Sequence, residues 1–244
     1  MSRYKLTFEY EGTDYSGWQR QPNVRTVEGE IEYAFSKMFQ KDINIIGQGR
    51  TDAGVHALSQ TAHVDLPERY SKERIEYAMR GLLPKDVALK KIEDADEDFH
   101  ARFHAQSRSY RYQISVEPSP LNRRFTWEHF MEPEFNILEK CAEMITGERD
   151  FINFCIPNDE EIGTTICTIL NCSWKRDNEM LQFDIEGNRF LRHMVRRLVG
   201  SMMEVATGKK SIEDFKVLLS NEPVERKAFA APACGLILTE VKYD

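Results

Sequence analysis

The stretch Tyr4-Lys5-Leu6-Thr7-Phe8-Glu9-Tyr10 decides the fold class, because apolar and polar side chains alternate along it. A period of two is typical of a β-strand with one buried face. Residues 11–14 then predict a turn, and the apolar stripe of residues 26–39 predicts an amphipathic helix. A strand followed by a helix that buries one face indicates an α+β layer.

The same patterns recur along the rest of the chain. Further strands are predicted at residues 43–46, 62–66, 110–116, 167–174, 180–185 and 237–243, and further helices at residues 71–81, 135–146 and 188–207. We therefore expect an α+β protein with two domains, residues 1–104 and residues 105–244. No low-complexity linker separates the halves, so a cleft between them is the expected place for a site.

Composition restricts the class of protein. The 244 residues are 41% hydrophobic and 30% charged, which is ordinary for a globular chain, and no stretch is apolar enough to span a bilayer. The first residues show a strand pattern and no signal peptide, so we expect a cytoplasmic protein. Five cysteines without a C-x-x-C pair argue against a disulfide framework and against a zinc ribbon.

The net charge of −7 counts against nucleic-acid binding unless the basic residues gather on one face. The predicted helix 188–207 has such a face, because Arg189, Arg192 and Arg196 lie together opposite an apolar stripe. Cations in the first turn of a helix oppose its dipole, and the same geometry favours the binding of an anion. The pattern predicts a phosphate-binding face, with an ordinary solvated face as the alternative.

The motifs of several enzyme classes are absent from the sequence. It contains no P-loop, no dinucleotide fingerprint, no H-E-x-x-H and no G-x-S-x-G. His100 and His104 have helical spacing, but no third metal ligand lies at a telling distance, so a structural role is favoured. We therefore expect a redox-neutral reaction that uses side chains and neither a cofactor nor a metal.

The densest candidate for chemistry is residues 47–57, where Gly47, Gly49 and Gly54 bracket one carboxylate, Asp52. Glycine permits sharp turns and the close approach of a ligand. Arg50 precedes Asp52 by two residues and is placed to neutralise it or to hold a phosphate. An ordinary polar turn is the alternative, because Asp is common in Gly-rich loops.

Residues 49–57, Gly49-Arg50-Thr51-Asp52-Ala53-Gly54-Val55-His56-Ala57, closely resemble the active-site motif of the tRNA pseudouridine synthase A family. Other motifs of this family have counterparts in the same order, at residues 10–19, 26–29, 99–103, 108–112, 147–151, 190–200 and 231–236. The resemblance covers nearly the whole chain. Its most specific parts are the motif of residues 49–57 and the motif of residues 190–200.

The resemblance implies two ferredoxin-like halves with mainly antiparallel sheets that meet at a central cleft. It also implies a homodimer in which each tRNA contacts both subunits. The implied reaction is the isomerisation of uridine to pseudouridine at positions 38, 39 and 40 of the anticodon stem and loop. This reaction adds and oxidises nothing, which agrees with the missing cofactor motifs.

Roles for individual residues follow from the same resemblance. Asp52 is the catalytic carboxylate, acting as a nucleophile or as a base, and Arg196 is the cation that favours its ionised form. Tyr110 holds the target base outside its stack, and Arg50 assists the flipping of that base. Leu236 either forms the floor of the pocket or is a core residue. The alternative for Tyr110 is a core position, and for Arg196 another phosphate contact.

Three other functions stay open. The chain could be a pseudouridine synthase for another RNA or tRNA position, an RNA-binding protein without catalysis, or a hydrolase that uses Asp52 alone. The presence of Asp52, Tyr110 and Arg196 together disfavours a protein that only binds RNA. The lack of a second placed carboxylate or a metal motif disfavours a hydrolase.

Overall fold

The computed structural model describes residues 1–156, 164–220, 222, 224 and 228–244. The chain forms two compact units, one of residues 1–106 with 237–244 and the other of residues 107–236. Helices and mainly antiparallel strands occur in both units, so the predicted α+β class is confirmed. The domain limits 1–104 and 105–244 stay a prediction. Along the described residues no helix is long and apolar enough to cross a bilayer.

The first unit has the element order β-α-β-β-α-β, which is that of a ferredoxin-like unit. Its elements are β1 (Ser2–Tyr10), α1 (Val27–Phe39), β2 (Ile46–Gly47), β3 (His56–Leu66), α2 (Lys72–Leu82) and β4 (Val87–Asp94). Strand β1 lies between β4 and β3 and is antiparallel to both, while β2 pairs with β3. Leu6 and Phe8 point from β1 into the core with Ile31 and Phe35 of α1, and all four are fully buried.

The second unit is built on an antiparallel sheet with the strand order β5-β9-β8-β7. Its elements are β5 (Ser107–Ser115), β6 (Trp127–Glu128), α3 (Phe135–Ile145), β7 (Gly147–Asp150), β8 (Ile166–Asp177), β9 (Met180–Gly187), α4 (Met194–Ala206) and α5 (Ile212–Leu218). Trp174 of β8 packs on Phe183 of β9 at a ring distance of 4.9 Å and donates its indole N–H to Met202 of α4. Helix α4 is therefore fastened to the sheet through its apolar side.

The last strand, β10 (Leu236–Lys242), runs parallel to β3, where Ile237 pairs with His56 and Leu238 with Ala57. This parallel pairing places the end of the chain in the sheet of the first unit.

Several predicted elements have different limits in the structure. The strand expected at residues 43–46 is only the two-residue β2, and the strand expected at 62–66 begins earlier, at His56. The sequence patterns do not predict strands β4, β6 and β7 or helix α5. The helix expected over residues 188–207 begins at Met194, so the residues before it are not helical.

Candidate active site

Asp52 lies in the loop of residues 48–55, called the Asp52 loop, which connects β2 to β3. The Asp52 carbonyl accepts the N–H of Val55 at 3.2 Å, and Gly54 completes this turn with a φ of +79°. The side chain of the preceding Thr51 is buried and shares a hydrogen bond of 2.8 Å with the hydroxyl of Tyr10. Asp52 itself is only partly buried, so the loop holds an acidic residue within reach of solvent on a well-anchored turn.

Two buried glutamines stabilise the start of the Asp52 loop by hydrogen bonds. The Gln48 amide donates to the side-chain oxygen of Gln60 at 3.0 Å, and the Gln60 amide donates to the Gly49 carbonyl at 2.9 Å. The backbone N–H of Gln48 also donates to the Thr61 carbonyl at 2.8 Å. Buried polar groups that are hydrogen-bonded in this way rigidify a segment.

Residues 11–18, called the bracket, follow β1 without regular secondary structure and lie along the Asp52 loop. Trp18 N–H donates to the Thr51 carbonyl at 3.1 Å, and Gly54 N–H donates to the Tyr15 carbonyl at 3.3 Å. At the far end, Gly12 N–H donates to His56 Nδ1 at 3.0 Å. The bracket therefore holds both ends of the turn that carries Asp52. The sequence predicts a turn at residues 11–14 and a family motif at residues 10–19, but not these contacts with the Asp52 loop.

Gly17 permits the close approach of the bracket to the loop. Its φ is +93°, and a Cβ at this position would lie 2.6 Å from the Thr51 carbonyl oxygen. A side chain there would both strain the backbone and push against the peptide that precedes Asp52.

Arg50 is exposed, and its charge acts on the half-buried carboxyl group of Glu28. Burial raises the pKa of Glu28 above its usual range. The hydrogen bond from the Arg20 N–H, at 2.7 Å, and the charge of Arg50 act in the opposite direction and offset burial only in part. The sequence marks Glu28 only as part of the motif of residues 26–29 and assigns its carboxyl group no role.

Tyr110 lies on β5 opposite Ile185 of β9, and its ring makes an edge contact with Phe190 at 5.2 Å. It is partly exposed, whereas Tyr112 and Ile114, on the same face of the strand, are fully buried. The hydroxyl of Tyr112 is bonded to the Pro232 carbonyl at 2.7 Å. A core position therefore fits Tyr112 and Ile114 better than it fits Tyr110.

Arg196 lies in the first turn of α4 and is held by residues 228–232, called the strap. Its Nε donates to the Ala231 carbonyl at 2.8 Å, and the Ala231 N–H donates to the Arg196 carbonyl at 2.9 Å. A Cβ at Gly200, one turn later, would lie 2.3 Å from the Phe229 carbonyl oxygen, so strap and helix meet backbone to backbone. These contacts fix the orientation of a half-buried guanidinium group.

The other proposed phosphate contacts, Arg189 and Arg192, are exposed but lie before α4 and not in its first turn. His193 caps the helix with a left-handed φ of +66°, which breaks the helical path. The Arg192 carbonyl instead accepts the N–H of Ile156 at 3.2 Å. The expectation that Arg189 and Arg192 lie on the first turn of the helix is therefore wrong, although their exposure is compatible with binding phosphate.

Leu236, at the start of β10, is buried with 6% of its surface exposed. This burial fits a core residue and the floor of a pocket equally well, so the prediction for Leu236 stays open.

The two spaced histidines have structural partners. His100 Nδ1 faces the N–H groups of Arg102 and Phe103, and His104 Nδ1 faces the N–H of His100. Among the residues that the structure describes, no three His, Cys, Asp or Glu side chains are grouped to hold a metal ion. All five cysteines are free thiols.

Comparisons with known proteins place this geometry in context. A family profile described as tRNA pseudouridine synthase matches residues 6–104 and 141–244. Asp52, Arg196 and Leu236 lie inside these stretches, whereas Tyr110 lies between them.

Proteins that are similar along nearly their whole length are found in several organisms. The chain is 39% identical to tRNA pseudouridine synthase A of Limosilactobacillus reuteri (strain DSM 20016), over 100% of this chain and 97% of that protein. It is 40% identical to the protein of the same name from Chlorobaculum tepidum, over 98% and 97% of the two chains. The corresponding Acetivibrio thermocellus protein is 37% identical over the full length of both. Among solved structures, a chain of a Cbf5-Nop10-Gar1 complex matches with a TM-score of 0.37 and 9% identity, over 96% of this chain and 57% of that one.

Proposed function

The chain belongs to the tRNA pseudouridine synthase family, and from this premise we propose that it acts on the anticodon arm with Asp52 as its catalytic carboxylate. The family assignment makes the protein an isomerase that converts uridine to pseudouridine in tRNA. The proposed targets are the uridines at positions 38, 39 and 40. The observation that carries the proposal is the Asp52 loop, in which the family motif holds a partly buried acidic residue on a turn anchored at both ends.

The reaction breaks the bond from N1 of uracil to C1′ of the ribose, turns the base, and joins C5 to C1′. The proton on C5 is released to solvent and N1, now free of the ribose, takes up a proton, so atoms and electrons balance without a further reactant. Asp52 can take part as a nucleophile or as the base that removes a ribose proton. Both routes require an ionised carboxylate, and we assign Arg196 the role of the cation that favours it.

Tyr110 is proposed to stack on the uracil once it has left the helix. Its partly exposed ring, supported at the edge by Phe190, suits a base-stacking role. Arg50 is proposed to assist the flipping of the base, and its exposure on the Asp52 loop supports this role. Leu236 is proposed to line the pocket.

The partner of the enzyme is a tRNA, and its anticodon stem and loop is the proposed contact. Arg189 and Arg192 are proposed to bind its phosphates, because both are exposed cations beside the helix that carries Arg196. A homodimer, a cytoplasmic location and a cleft that receives the RNA stay predictions.

Tritium release from tRNA labelled at C5 of uridine tests the proposal, because C5 loses its hydrogen only when it becomes the glycosidic carbon. Wild type should release tritium without an added cofactor. Asp52→Ala and the isosteric Asp52→Asn should lower the rate by at least roughly 10²-fold while tRNA binding persists. Asp42→Ala, which removes an exposed acid of the same unit, is the matched control and should be fully active.

The outcomes separate the alternatives. Release from tRNA labelled only outside positions 38–40 would show a different target. An inactive wild type that still binds tRNA tightly would favour an RNA-binding protein without catalysis. Full activity of a folded Asp52→Asn protein would remove Asp52 from the chemistry.

A further inference from the structure

The bracket contacts more than the Asp52 loop. Its Glu11 N–H donates to the Asp86 carbonyl and its Ser16 N–H donates to the Arg25 carbonyl, both at 2.9 Å. Because residues 11–18 form neither helix nor strand, their shape depends on bonds of this kind. Asp86 lies in the turn between α2 and β4, far from the bracket along the chain.

The carboxylate of Asp86 is the centre of a network of side chains that includes Tyr15 of the bracket. The Tyr15 hydroxyl donates to Oδ1 at 2.6 Å, and Arg25 donates through Nη1 to Oδ2 at 2.9 Å and through Nη2 to Oδ1 at 3.1 Å. The Arg25 guanidinium also covers the Tyr15 ring, 4.2 Å from its centroid. A bidentate pair with an additional phenol donor fixes all three side chains in one geometry.

The Asp86 carboxyl group at the centre of this network remains ionised over the physiological pH range. Burial by itself raises the pKa of Asp86, but the hydrogen bonds from Arg25 and Tyr15 outweigh burial and lower it below its usual range. Arg25 also donates through Nε to the Glu30 carboxylate at 2.9 Å, and this bond further restricts the orientation of the guanidinium. Tyr15 is 3% exposed, so its hydroxyl is withdrawn from solvent and depends on the protein for a hydrogen-bond partner.

We propose that Asp86 is a positioning residue for the isomerisation, acting through Tyr15 and Arg25 on the bracket and through the bracket on the Asp52 loop. The contacts are continuous: Asp86 holds the Tyr15 side chain, and the Tyr15 carbonyl accepts the N–H of Gly54, two residues after Asp52. Asp86 itself touches no substrate in this scheme. The inference rests on the proposed catalytic role of Asp52.

The variant Asp86→Asn tests the inference in the full-length protein, because it keeps the shape and removes the charge. The matched control is Asp65→Asn, since Asp65 accepts two bonds of 2.8 Å from Arg3 in the same unit but lies at the other end of β3 from the Asp52 loop. We expect Asp86→Asn to speed amide hydrogen exchange at Gly54, and to slow single-turnover tritium release on the order of 10- to 100-fold. The Kd for tRNA should change by less than about threefold, and Asp65→Asn should change neither Gly54 exchange nor the rate.

An equal loss of rate in the two variants, in proportion to their loss of stability, would overturn the inference in favour of a purely structural role. Unchanged exchange at Gly54 in Asp86→Asn would overturn it as well. If that variant does not fold, Tyr15→Phe removes one bond to Asp86 and is held to the same criteria. Absence of tritium release from wild type would contradict the proposed function instead, and the exchange measurement would still decide on the network.

Discussion

Gly17 shows how a single residue controls the geometry near Asp52. Its replacement by Ala should cost more stability than the ~1–2 kcal/mol of an ordinary residue in the left-handed region, because the new Cβ must also displace the Thr51 carbonyl. The displaced peptide is the one that leads to Asp52, so turnover should fall together with stability. Urea unfolding and tritium release measure the two effects.

Gly147→Ala is the control for that experiment. Gly147 has a nearly identical φ of +92°, but nothing lies within 4 Å of the Cβ it would gain. The Gly147→Ala variant should therefore be less stable than wild type but should have the same turnover. Equal effects of the two variants on turnover would show that the approach of the bracket to the loop is irrelevant to catalysis.

Asp52 and Asp86 differ in how far the sequence reveals them. Asp52 lies in a contiguous Gly-rich stretch that resembles a family motif, so the sequence alone makes it a candidate. Asp86 lies in an ordinary Pro-Lys-Asp turn and meets Tyr15 across 71 positions of the chain. No local pattern records such a pairing, and only the folded sheet brings the two together.

The segment before α4 is the element on which the proposal for tRNA binding depends. Arg189→Ala and Arg192→Ala should weaken tRNA binding and lower the slope of log Kd against log salt by roughly 0.7–0.9 each, because each removes one phosphate contact. Binding titrations at several salt concentrations measure this slope.

Arg176→Ala serves as the control, because Arg176 is an arginine of the same unit whose guanidinium is paired with Glu132. Its slope should equal that of wild type. If Arg189→Ala and Arg192→Ala also leave the slope unchanged, these two residues do not contact phosphates.

Elements were predictable from the sequence where the pattern is long and regular, as in α1 and β1, and were missed where packing interrupts it. The register of β4 against β1 shifts between Thr7 and Phe8. Leu89 and Ile92 therefore pair with the core residues Phe8 and Leu6 although they are three positions apart, and the alternation with a period of two is lost. The start of α4 was misplaced because Phe190 continues the apolar stripe of the helix, whereas in the structure it packs on Tyr110. In both places tertiary contacts override a local pattern.

The stability of the whole molecule should depend on pH through His63 of β3, which is buried and accepts the Ala101 N–H at 3.1 Å. Burial, with the charges of His100 and Arg3, lowers its pKa from 6.5 to about 4. The unfolded chain therefore binds a proton that the folded protein does not, and stability should fall as the pH drops from 6.5 toward 4.

Urea unfolding of wild type and His63→Asn between about pH 7 and about pH 4.5 checks this dependence. Asparagine can still accept the Ala101 N–H but does not titrate, so the variant should lose less stability over this range. His129→Gln, at a partly exposed position, controls for the loss of any histidine and should behave as wild type. Identical slopes for wild type and His63→Asn would contradict the assignment.

The strand β10 has a consequence for the order in which the molecule is made. Ribosomes deliver the chain from its first residue, so β1 to β4 emerge long before the strand that pairs with β3 along His56 and Ala57. During that interval the edge of β3 that follows Asp52 has open backbone donors and acceptors, and an unpaired edge is a template for pairing with other chains. The nascent protein can close this edge only after the entire second unit has been synthesised, so the unit that carries Asp52 begins to form first and is completed last.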